Sequence, residues 1–163
     1  MKHFISKFIP VAFVVALLFS TSCSDDNNDD APDLTPTPSI YSLVLNLTLS
    51  DAFLDSSIGT FTVTYKDADG VEEEVVITSS PYSLTLEGFE DGDEYEFEFD
   101  CDLAQGYVAP EESKTFAFGY DLIGTNDNGG MAVYKSSSSS LTVSADNIEA
   151  YVESFSRSVS GTF

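Results

Sequence analysis

Histidine is the usual general base near neutral pH, and the one histidine of this chain, His3, stands in an N-terminal stretch that reads as removable. Its loss takes away the Ser-His-Asp and Cys-His arrangements and any histidine-based zinc or iron site. Carboxylates are plentiful, with 28 Asp and Glu. A pair of them could support glycoside hydrolysis only if their surroundings drove the two pKa values apart. Those in the strand-like runs alternate onto a solvated face, where nothing separates them, so no enzymatic activity is expected. Calcium is the stronger metal candidate, because clustered carboxylates suit a hard cation. The EF-hand spacing fails, since counting back from Gly70 or Gly129 puts Tyr65 or Gly124 where the first aspartate belongs. A looser inter-loop site could use Asp67, Asp69 or Asp127, which ordinary turn chemistry also explains, and no other cofactor is expected. Tyr107, Tyr120 and Tyr134, in or near loops, are the candidate ligand-facing aromatics that carbohydrate binding would need in a chain with no Trp.

Composition sets the frame around these residues. A chain of 163 residues with 42% apolar content has room for one buried core. All 28 acids follow residue 24, and without Lys2 and Lys7 only 4 basic residues face them, a net charge near −24. Such a surface repels phosphates, so nucleic acid is excluded as a partner, and the charge itself serves solubility.

Lys2 and Lys7 precede an apolar stretch from Phe8 to Phe19, and Ser20, Thr21 and Ser22 supply small side chains before Cys23. That pattern is a secretory leader, too short for an ordinary membrane-spanning helix of about 20 residues. The small residues before the Cys resemble a lipobox, although Ser20 holds the place where Leu is usual. The resemblance implies cleavage after residue 22 and acylation of Cys23, which would leave Cys101 as the last free thiol with no disulfide to form. Residues 23–38 read as a tether, acidic from Asp25 to Asp30 and proline-punctuated at Pro36 and Pro38. Acids close behind the lipidated Cys resemble the export signal of Bacteroidetes-type surface lipoproteins. The implied location is the outer membrane, lipid-anchored and exposed at the cell surface.

Beyond Ser39 the pattern has a period of two. Leu43, Leu45, Leu47 and Leu49 alternate with smaller or polar residues, Phe61, Val63 and Tyr65 repeat the alternation, and Val71 to Thr78 runs back after an Asp67-to-Gly70 turn. Tyr82 to Leu86, Glu94 to Leu103 and Lys114 to Tyr120 complete the strands. In the Glu94 run Tyr95, Phe97, Phe99 and Cys101 share one face while Glu96, Glu98, Asp100 and Asp102 share the other. Cys101 therefore reads as core rather than reactive.

The segment from Leu86 to Phe97, through Gly88, Gly92 and Tyr95, resembles the E-to-F corner of fibronectin type III domains, and Phe61 to Lys66 resembles their strand C. The resemblance covers about eighty residues, from near Ser42 to Tyr120, and implies an all-β, antiparallel, immunoglobulin-like sandwich with Tyr95 as a structural corner tyrosine. It departs in lacking the family's core Trp and a clear strand A. The expected organisation is a sandwich over residues 39–120, then residues 121–163 as a loop, a flexible serine linker at Ser136 to Ser140 and a C-terminal extension packing on the sandwich. Asp146 could cap a short helix in which Ile148, Tyr151, Val152 and Phe155 fall at helical spacing, and Phe155, Arg157, Val159 and Phe163 could equally form a strand; the balance tips to a short helix followed by a terminal strand. The expected function is a lipid-anchored structural or protein-interaction module without catalysis. The alternative is a glycan-binding accessory lipoprotein of a nutrient-uptake system.

Overall fold

The computed structural model describes residues 39–163, so the leader, Cys23 and the tether lie outside the described residues. The two-residue alternation becomes eight strands. β1 (Tyr41–Leu49) places Leu43, Leu45, Leu47 and Leu49 inward, all at most 6% exposed. A four-residue helix, α1 (Asp51–Leu54), carries the chain to β2 (Gly59–Lys66), which turns back through Asp67–Gly70 into β3 (Glu72–Ile77). β4 (Tyr82–Phe89) pairs with β1, and β5 (Glu94–Leu103) pairs with β2. β6 (Lys114–Asn126) and β7 (Met131–Val143) form a long hairpin, and a 3₁₀ turn and α2 (Ile148–Glu153) lead to β8 (Ser156–Thr162).

The strands form two antiparallel sheets of four, ordered β4-β1-β6-β7 and β3-β2-β5-β8, packed as an all-β sandwich. Apolar alternation forces this result, because the inner strands β1, β2, β5 and β6 each have one wet face and one that the opposite sheet must cover. Phenylalanine rings cluster where α1 meets the two sheets. Phe53 of α1 lies 4.7 Å from Phe155, 5.0 Å from Phe116 and 5.3 Å from Phe61, ring centre to ring centre. A helix of one turn is held here by its buried ring, since so short a helix has no stability of its own.

The sequence expectation needs correction after Tyr120. β6 runs on to Asn126, and only residues 127–130 turn, with the Asn126 side chain accepting N–H bonds from Asn128 and Gly130. Ser136 to Ser140 are not a flexible linker but the middle of β7, each paired with a residue of β6. Composition misleads because backbone pairing along a 13-residue partner supplies the order that the serine side chains do not. β7 and β8 are thus the fourth strands of their sheets rather than an extension laid on a finished sandwich. The helix-then-strand reading of the C-terminus holds, but Asp146 sits within the 3₁₀ turn while Ser144 and Asn147 occupy the capping positions, without side-chain capping bonds. No strand precedes β1 among the described residues, and β6 takes the seat beside it.

The aromatic cluster at α1 yields a direct expectation. Phe53→Ala should destabilise the domain by about 3–5 kcal/mol, the usual range for deleting a buried phenylalanine. The readout is the urea midpoint at unchanged slope. A loss under about 1 kcal/mol would mean that α1 does not plug the sandwich end.

Candidate functional site

Three of the sequence-derived candidates lie in turns. Asp67 and Asp69 share the β2–β3 turn, where Asp67 Oδ1 accepts the N–H of Asp69 at 3.0 Å and of Val71 at 2.8 Å while Gly70 takes φ 75°. This is an Asx turn that fully employs one Asp67 oxygen. Asp127 belongs to the β6–β7 turn, in the other sheet, and accepts from the Asn128 side chain at 3.0 Å. Among the described residues no group of three His, Cys, Asp or Glu side chains converges to hold a metal.

The three tyrosines separate as well. Tyr107, in the β5–β6 loop, packs against the core with its hydroxyl buried and unpartnered. Tyr120 points inward and stacks on Phe99 at 5.6 Å, 17° from parallel. Tyr134 alone stands out from the sheet, 58% exposed, its hydroxyl 3.5 Å from Asp121 Oδ1. Tyr95 is 2% exposed, and its hydroxyl end meets β8 so closely that a Cβ at Gly161 would fall 2.3 Å from it. That contact requires glycine at position 161.

What periodicity alone did not reveal is how unevenly the charge is shared between the two outer faces. Outward on the β3-β2-β5-β8 sheet stand Glu72, Glu74, Glu94, Glu96, Glu98, Asp100 and Asp102, answered by Lys66, which pairs with Glu96 at 3.1 Å. An exposed pair of this kind adds little stability, and the face stays strongly negative. Outward on the β4-β1-β6-β7 sheet the strands present mainly Ser, Thr, Asn, Ala and Gly, with Glu87 and Asp121 as acids. The contrast is set by which strands share a sheet, which sequence periodicity does not contain.

On that sparsely charged face lies a trough of about 760 Å³. Ala117 and Gly119 form its low floor, Ser136, Ser138 and Ser140 its β7 side, and Asp121 one end. Small side chains make it concave, and serine hydroxyls give it hydrogen-bonding capacity, with Asp121 its one charged side chain. β7 overhangs the sandwich, with Ser136 to Ser140 exposed on both faces and Leu141 53% exposed. Lys135 ties the overhang back to the second sheet by donating to the Ser160 carbonyl and lying 5.5 Å above the Tyr95 ring.

No family model matches the chain, and no curated protein matches it. No described helix is long and apolar enough to cross a membrane.

Cys101 lies inward on β5 at 5% exposure, and burial first, then the neighbouring Asp102 charge, pushes its thiol up to about 11. The reactive species is the thiolate, so the folded protein at pH 8 should label at position 101 far more slowly than the urea-unfolded protein. Equal rates in mass-spectrometric alkylation assays would contradict this placement.

Proposed function

We propose that this chain is an exported, lipid-anchored contact module, a structural or protein-interaction domain without catalysis, held off the membrane by its acidic tether through Cys23. The observation that carries the reading is the segregation of charge: acids crowd one outer face, and the opposite face, concave beside its β7 edge, carries only the acids Glu87 and Asp121. A face used only for solubility has no reason to be spared the charge that covers the rest, whereas a contact surface is depleted in charge at its centre.

A second reading has one observation in its favour. Tyr134, Asp121 and the serines of the trough bring an exposed ring, a carboxylate and a row of hydroxyls to one face, the elements a sugar would engage. Binding on a glycan array, abolished by Tyr134→Ala and untouched by Tyr107→Ala, would favour that reading over the first.

The contact reading is tested with a photo-crosslinking side chain placed at Ser138 or at Glu98 in the full chain on intact cells. We expect a discrete crosslinked species from position 138, none from position 98, and release of the chain from the membrane fraction on Cys23→Ala. Equal crosslinking from both faces, or from neither, would count against the module, and retention of the Cys23→Ala chain would count against the anchor.

A further inference from the structure

A sandwich has four edge strands, and each presents backbone N–H and C=O groups that can pair with another strand unless something blocks them. Three edges here are blocked. β3 begins with Glu72, Glu73 and Glu74 in a row. β4 starts just after Pro81, carries Glu87, and is interrupted where its register against β1 shifts near Gly88, which takes φ 92°. β8 is 7 residues long, bears Arg157, and has its Ser160 carbonyl already engaged by Lys135.

β7 keeps such devices to its Met131–Lys135 end, where Lys135 and the register shift near Thr125 lie, and none falls from Ser136 to Val143. It is 13 residues long, contains no Pro, Gly, Asp or Glu, and has no charged residue from Ser136 to Val143. Its register with β6 is continuous from Val143 to Val133, with the shift confined to the far end near Thr125. Because Ser136 to Ser140 are exposed on both faces, the second sheet of the same molecule does not stand in the way of an incoming strand.

We propose that the β7 edge pairs antiparallel with β7 of a second copy of this chain, joining two four-stranded sheets into one of eight. The proposal rests on the reading of the domain as a contact module and names its partner. Two features select a second copy over a foreign strand. Five identical residues in succession read the same in both directions, so a two-fold axis within the run sets serine against serine. With the axis at Ser138, Ser136 faces Ser140 of the second copy, Ser137 faces Ser139, and Lys135 faces Leu141, so the two lysines never meet. Charge is the other feature. Two chains of formal charge −22 repel wherever their acids approach, and β7 is a long edge of the molecule that carries no acid. The isologous geometry also keeps the acidic faces of both copies pointed away from the joint.

The test is sedimentation velocity of the full chain in detergent between about 1 μM and about 200 μM, the range in which an interface limited to one strand edge dissociates. We expect a concentration-dependent dimer in the unmodified chain, retained in Ser138→Thr and weakened about tenfold or more in Ser138→Glu, which sets like charges opposite each other. Matching melting curves for the two variants show that the fold is intact. A monomer throughout the range, or a dimer indifferent to Ser138→Glu, would overturn self-pairing. The photo-crosslink from position 138 separates the two readings. A monomer that still yields a crosslinked species of unequal partner mass removes self-pairing and leaves the contact module, and a monomer with no crosslink removes both.

Discussion

Everything in this molecule depends on covering one face of each sheet with the other. The inner faces are lined by Leu from β1, by Phe, Val and Tyr from β2 and β5, and by Phe116, Phe118 and Leu122 from β6, all close to fully buried. Aromatic rings supply much of that buried area, and they meet edge-on or tilted, as between Phe99 and Phe118 at 5.1 Å and 64°. Once the two sheets close, the outward positions are free of packing demands. They can then be given to charge on one side and to small hydroxyl residues on the other.

β7 is where the constraint relaxes. It is ordered by its ladder with β6 and by Val133 and Val143 near its ends, which are buried, while its middle overhangs and touches no opposing sheet. A position that is exposed on both faces selects for neither apolar nor charged residues by packing. The serine run is therefore compatible with the strand, and its neutrality becomes a property available for contact. In an otherwise acidic domain, the absence of charge localises where another surface can approach.

Much of the architecture was legible in the sequence. The alternations at Leu43–Leu49, Phe61–Tyr65 and Tyr95–Cys101 became inner faces of strands because a period of two admits no other buried arrangement. The Asp67–Gly70 turn followed from its residue types, and the helix before the last strand from the spacing of Ile148, Val152 and Phe155. The serine run was misread because low-complexity composition signals flexibility only when no neighbouring strand offers its edge. α1 leaves no signal in the sequence because four residues hold no helical period, and the tertiary burial of Phe53 makes it. Of the site candidates, Tyr134 fell on the trough face, whereas Tyr107 and Tyr120 turned inward, since exposure in or near a loop is decided by long-range packing. The segregation of charge between the faces depends on which strands share a sheet, and that topology is not written in local pattern.

Ser136 to Ser140 form an ordered edge strand with one side bonded to β6 and the other open. Amide hydrogen exchange resolved residue by residue along β7, at a concentration where the chain is monomeric, tests it most directly. Alternation is expected, with every second amide of the run slowed by its bond to β6 and the intervening ones exchanging at nearly the rate of open chain. Uniformly fast exchange from Ser136 to Ser140 would contradict it, because the serines would then be a linker and the edge would not exist.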